Sequence, residues 1–298
     1  MKKTILSTLV SSLILTNIVM AKGNDALTSK EVALHATQVA TSKAQNNKVK
    51  LVQEAINSLK LSAKALDDLN RNKPEEAKKD IELALGKLES ILSVEHTPKL
   101  LPIENRITVK NFAGTAKDVE VALDKVKALL NDGKVQDARI LLSTLQSEID
   151  LTVVSLPLVS YPDALKLASK YIIEGKTAEA KKVLALALST FTEVTQVIPI
   201  PIVNSIELIA TASKIAKTNK EQALKHLEYA SAELDKAEKL GYVSKSAVTY
   251  KQLHELINRI EKEVKGPNKA EKLFEELASK LKEFKDKILS SDDKSEKK

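Results

Sequence analysis

The stretch "IIEGKTAEAKKVL" (172–184) reads as the turn of a helical hairpin. Gly175 can take the left-handed conformation that ends a helix, which a side chain's Cβ resists. Ile172 lies three residues before it, and Ala180 lies five after. Val183, Ala187 and Phe191 then follow at helical spacing. Three other stretches line up with this one: "LNRNKPEEAKKDI" (69–81), "LNDGKVQDARILL" (130–142) and "AKTNKEQALKHLE" (216–228). Asn72, Gly133 and Asn219 stand where Gly175 does, each followed by Lys, with Ala77, Ala138 and Ala223 four or five residues further on. The pattern predicts four helix–turn–helix hairpins in which alanine admits close approach. The caps lie 61, 42 and 44 residues apart, unlike the fixed period of a regular solenoid. The expected fold class is all-α, an irregular array of antiparallel helical hairpins.

Prolines punctuate the array. Six of the eight fall in pairs: Pro98 and Pro102, Pro157 and Pro162, Pro199 and Pro201. Proline lacks an N–H and drives the preceding residue out of helical conformation. "TPKLLPI", "LPLVSYP" and "VIPIPIV" are therefore expected as Pro-rich apolar crossovers between hairpins. Pro162 followed by Asp163 suits the first turn of a helix. Because the crossovers are apolar, two readings stay open. They are buried across other helices, or they display a surface for something else. On the second reading the candidate contact residues are Leu156, Pro157, Leu158, Tyr161, Pro162, Ile198, Pro199, Ile200, Pro201 and Val203. Around "IENRITVKNFAG" (103–114) apolar and polar residues alternate, which predicts one short β-strand near 103–112 through Ile107, Val109 and Phe112.

Lys2 and Lys3, an apolar run to Met20 and the small Ala21 form the three-part pattern of a secretory signal peptide, with cleavage expected after Ala21. Removing two lysines leaves 45 basic against 40 acidic residues, a balance of +5. That mild, well-mixed charge is not the basic face of a nucleic-acid binder. No later segment is apolar enough to span a membrane. The chain has no cysteine, so in an oxidising compartment a packed core must supply the stability. With nine Tyr and Phe and no Trp, that core is aliphatic. After Gly241 a helix is expected over about 246–264, and Gly266-Pro267 separates it from a last one. Ala270, Phe274, Leu277, Leu281, Phe284 and Ile288 form a coiled-coil-like stripe there, able to pack back on the body or to pair with another copy. "SSDDKSEKK" (290–298) is a charged tail.

Reactive constellations are absent from this pattern. His35, His96, His226 and His254 are far apart with no second ligand at metal spacing, and each reads as a surface or rim residue. "EGKT" (174–177) lacks the upstream glycine of a phosphate loop, and its cap role already explains it. No catalytic, cofactor or metal site is assigned, and a non-enzymatic protein is expected.

The segment 129–209 resembles the YfdX family of secreted bacterial helical proteins, through "LPLVSYPDA", "VIPIPIV" and, further on, "AEKLGY" (237–242). The resemblance runs from about Ala55 to Tyr242. It divides the chain into a signal peptide (1–21), a helical YfdX-like domain (22–245), a C-terminal helical extension (246–289) and the tail. It implies a mostly helical periplasmic protein linked to acid and heat stress, with chaperone-like roles and no catalytic residues to carry over. The reading that follows is a periplasmic stress protein whose Pro-punctuated segments hold unfolded or partly folded proteins. Acid would act as a switch, because protonating its carboxylates and histidines would raise the net charge to about +49. The alternative is a helical scaffold or carrier with a small apolar ligand in an interior pocket. Self-assembly into a homo-oligomer through the last helix is a further expectation.

Overall fold

The computed structural model describes residues 27–46, 52–94, 97–244, 248–266 and 270–291. The proposed signal peptide, His96 and residues 292–298 of the tail lie outside them. Eleven helices and three strands follow in chain order among these residues. They are α1 (Ser29–Asn46), α2 (Gln53–Asn70), α3 (Pro74–Leu92), β1 (Leu100–Lys110), α4 (Ala116–Asn131), α5 (Val135–Ser143), β2 (Glu148–Pro157) and α6 (Tyr161–Ile173). Then come α7 (Thr177–Ala187), β3 (Thr192–Pro199), α8 (Ile200–Ile215), α9 (Lys220–Lys239), α10 (Val248–Lys265) and α11 (Glu271–Ser291).

The hairpins are α2–α3, α4–α5, α6–α7 and α8–α9, and in each the two helices pack on one another. Asn72, Gly133 and Gly175 have φ of 57°, 72° and 71°, the left-handed caps expected of them. The residue after each cap closes the helix end from its backbone. Lys73 N donates to Asp68 O, Lys134 N to Leu129 O and Lys176 N to Tyr171 O, at 2.8–2.9 Å. The fourth turn differs. Asn219 has φ of −140° and caps the helix that follows, its side chain accepting from Gln222 N. Asparagine serves both ends of a helix, and Ala223 falls one residue nearer because this turn is built differently. Gly241, with φ of 86°, ends α9 as expected.

The all-α expectation is corrected by a three-stranded antiparallel sheet of order β1-β2-β3. The protein is mostly helical rather than purely so. β1 covers the strand expected near 103–112, although Phe112 falls beyond it. β2 and β3 occupy stretches expected to be the ends of helices. The helices α5 and α7 stop at Ser143 and Ala187, and "EIDLTVVSLP" and "TEVTQVIP" continue as β-branched, extended chain. All three proline pairs adjoin these strands: Pro102, Pro157 and Pro199 sit within them. As the middle strand β2 is buried on both faces, whereas β1 alternates beyond Pro102.

Two compact units share the chain. One comprises Lys48–Arg106 and Leu151–Thr195. Its two hairpins pack reciprocally, α2 on α7 and α3 on α6, around Leu69, Ile81, Leu156, Tyr161, Leu165 and Leu184. The other unit holds α1, the stretch Ile107–Asp150 and everything from Gln196 onward. Its core joins Leu208 and Ile209 of α8, Leu227 and Leu234 of α9, Leu253, Ile257 and Ile260 of α10, and Phe274 and Leu277 of α11. The first half of the α11 stripe therefore packs back on the body, against α8 and α10. Leu281, Phe284 and Ile288 lie outside the described side chains. No described helix is long and apolar enough to cross a membrane.

Candidate functional site

Thr28 caps the start of helix α1, its hydroxyl accepting from Glu31 N while the Glu31 carboxylate takes up Thr28 N at 2.8 Å. Val32, Ala36, Ala40 and Ala44 recur every fourth residue and are buried. This narrow, small-residue stripe lets α1 lie close along α8, with α9 beside it. Polar bonds fasten it at three places. Gln222 Nε2 donates to Leu27 O at 2.8 Å, and Ser29 Oγ lies 2.9 Å from His226 Nδ1. Thr37 Oγ1 donates to Asn204 Oδ1 at 3.0 Å. Asn204 Nδ2 in turn reaches Glu233, which is paired with Lys236 at 2.8 Å.

His226 is fully buried, and its Nε2 has no hydrogen-bond partner among the described residues. Burial alone pushes its pKa below the ordinary histidine value, so the neutral ring is the folded form. His254 is half-buried and likewise pushed down by burial, with Asp235 opposing. Its Nδ1 is 3.0 Å from Ser231 Oγ, and Tyr250 packs 4.6 Å from its ring while donating to Asp235 at 2.7 Å. The surface or rim placement read for His226 is therefore corrected, whereas half-buried His254 sits at a rim and His35 is exposed. The signal was present: position 226 falls on the Ala223, Leu227, Ala230, Leu234 stripe, three residues after its start.

The ten candidate contact residues are placed by both units. In the smaller unit Leu156 and Pro157 end β2, Leu158 N donates to Lys99 O at 2.9 Å, and Tyr161 and Pro162 open α6. Leu156, Leu158, Tyr161 and Pro162 are buried, and Pro157 is half-buried. Burial pushes the Tyr161 phenol up to about 12, opposed by the Ser62 hydroxyl. Its oxygen lacks a partner in hydrogen-bonding geometry among the described residues. In the larger unit Pro199 closes β3, Ile200 N donates to Ser147 O at 2.9 Å, and Pro201 sits in the first turn of α8, where no N–H is needed. Ile198, Pro199, Ile200 and Pro201 are buried, with Val203 half-buried. The proline motifs are thus strand-to-helix junctions set in cores.

A second polar cluster lies at the end of the "AEKLGY" motif. Tyr242 OH accepts from Ser147 N and donates to Glu148 Oε2, both at 2.8 Å. Burial raises the Tyr242 phenol above its ordinary value, so it stays a donor. Lys110 Nζ stands 2.9 Å from Asp150 and 3.4 Å from Glu148. The hydrogen bond to Asp150 is the chief reason its pKa is raised. This cluster clamps together chain segments that are distant in sequence. Neither it nor the contacts of α1 carried a sequence pattern, because their partners lie 38 to 197 residues apart.

Residues 59–197 match the family model described as YfdX protein. The match ends as "VIPIPIV" begins, a narrower span than Ala55–Tyr242. A crystal structure of Salmonella Typhi YfdX is similar at 16% identity, over 50% of this chain and 93% of that one, with a TM-score of 0.35. No curated protein matches the sequence.

Proposed function

The chain belongs to the YfdX family over residues 59–197, and on that premise we propose that it is a non-enzymatic periplasmic protein that holds partly unfolded proteins under acid or heat stress. The observation that carries this reading is the fastening of α1. A helix with a narrow Val and Ala stripe covers part of α8, the helix that begins with the apolar Ile200–Val203 segment. One of its three fastenings runs through a buried, neutral histidine. Protonating His226 places a charge where Nε2 has no partner, which favours any arrangement that lets water in. Releasing α1 would uncover Ile202, Leu208 and Ile209 and loosen the start of α8. The contact residues named above are buried in the closed form, so client binding belongs to the opened form. Heat would reach the same form by weakening the small α1 contact.

The test is suppression of aggregation of an unrelated protein, at pH 7.5 and pH 5.0, by wild type and His226→Leu. Wild type is expected to suppress more strongly at pH 5.0, and the variant to show little change between the two. Equal, strong suppression by both proteins at both pH values would remove the histidine from the account. No suppression in acid or on heating would remove the holding function.

A further inference from the structure

Helix α1 sits on α8, with α9 beside it, through buried residues no larger than valine. They are Ser29, Val32, Ala36, Thr37, Ala40 and Ala44. By contrast α8 to α11 meet through Leu208, Leu234, Ile257 and Phe274. All of these residues belong to the larger unit. A helix faced with alanine approaches its neighbour closely, and a close-packed groove shaped to it has no room for longer side chains. Two hydroxyls set the register. Ser29 and Thr37, eight residues apart and so about 12 Å along the helix, meet His226 on α9 and Asn204 on α8. As the occupant of this groove, α1 displays what the groove accepts.

It is nonetheless a loosely matched occupant. Three of its six buried side chains are alanine, so little apolar area holds it down. Thr211 lies seven residues past Asn204, and by the 3.6-residue period it falls on the same face of α8. Asn204 finds Thr37, but Thr211, 1% exposed, has no partner for its Oγ1 among the described residues. A buried hydroxyl left unpaired costs free energy that a better-matched helix recovers. Shape is satisfied by α1 and polarity only in part, which suits a segment that gives way to another. Resting on the proposed holding function, we infer that the groove on α8 receives client segments as α-helices carrying Ala, Ser, Thr or Val at every fourth residue, in the place α1 vacates. A client helix with hydroxyls eight residues apart keeps the bonds to Asn204 and His226. A helix faced with leucine or phenylalanine does not seat, because added methylenes in a fitted contact push neighbouring side chains off their rotamers.

Fluorescence anisotropy of a labelled synthetic peptide, residues 27–46 of this chain, titrated with the full-length protein at pH 5.0 and pH 7.5, tests this. Binding is expected at pH 5.0 and should be about tenfold weaker or more at pH 7.5, where tethered α1 fills the groove. A peptide with Ala36→Leu and Ala40→Leu should lose about tenfold or more in affinity at pH 5.0. Alanine and leucine are both strong helix formers, so that change tests fit rather than helicity. Leu34→Ala, at a position 57% exposed in the folded chain, should leave affinity within about twofold. Unlabelled 27–46 peptide should also reduce suppression of client aggregation at pH 5.0, and the leucine peptide should not. No binding of the 27–46 peptide by a protein that still suppresses aggregation overturns the groove and leaves the holding function standing. Equal or tighter binding of the leucine peptide overturns the preference for small residues and leaves clients chosen by hydrophobicity alone. Loss of both binding and suppression removes the holding function, and the groove's role with it.

Discussion

Replacing Tyr242 by Phe removes one oxygen and leaves the ring. The oxygen accepts from Ser147 N, a residue with no exposed surface, and donates to Glu148, which is 8% exposed. An unpaired buried N–H costs about 1–3 kcal/mol, and a hydrogen bond to a charged group contributes about 1.5–3 kcal/mol. Glu148 keeps Lys110 at 3.4 Å, and Tyr242 is only half-buried, so water can replace part of what is lost. The expected destabilisation is therefore about 2–4 kcal/mol rather than the full sum. Urea unfolding followed by circular dichroism should show the midpoint falling by about 1 M with an unchanged slope. A cycle with Glu148→Gln should give a coupling of about 1 kcal/mol, since the two residues touch. A midpoint shift below about 0.2 M for Tyr242→Phe would refute the clamp, because one group's desolvation already exceeds that.

Below pH 6.5, roughly the ordinary histidine value, the unfolded chain binds protons that buried His226 and His254 resist. Stability should be complete above that value and fall as pH drops toward the depressed folded pKa values. Glu207, raised by burial, contributes in the opposite sense within the carboxylate range. Urea midpoints at pH 7.5, 6.5 and 5.5 check this, and His226→Leu should flatten the decline. Gly175→Ala should cost about 1 kcal/mol at its φ of 71°. Gly86→Ala should stabilise by about 0.5–1 kcal/mol, because it lies within α3 with open space around the added methyl. Thermal midpoints of the two variants should move in opposite directions. Tyr161→Phe removes a buried hydroxyl without a partner, and its urea midpoint should be unchanged or higher.

The hairpins were legible because a left-handed cap restricts the residue to Gly or Asn, and the alanine after it marks the close approach. Asn219 misled because asparagine also caps helix starts. The strands were less legible. β2 is buried on both faces, so "LTVVSLP" shows no alternation, and no glycine or proline marks the ends of α5 and α7 at Ser143 and Ala187. The proline pairs were correctly placed as breaks, yet a break does not state that the chain on one side is paired in a sheet. The apolar junctions were legible as breaks between helices, and His226 lay on a stripe that a periodicity count reaches. The Thr37–Asn204 bond joins residues 167 apart, and neither side chain belongs to a pattern that would have announced it.

That bond also supplies the most direct test of the opened form. The chain has no cysteine, so a disulfide between Thr37→Cys and Asn204→Cys would be the only one present. Their side-chain oxygens meet at 3.0 Å, so the two positions face each other, and a disulfide formed there, confirmed by loss of free thiols, would tie α1 to α8. Suppression of client aggregation at pH 5.0 would be measured with this variant oxidised and then reduced. The account predicts that the oxidised protein suppresses little and that reduction restores the activity. Equal suppression in the two states would contradict it, because clients would then bind without release of α1.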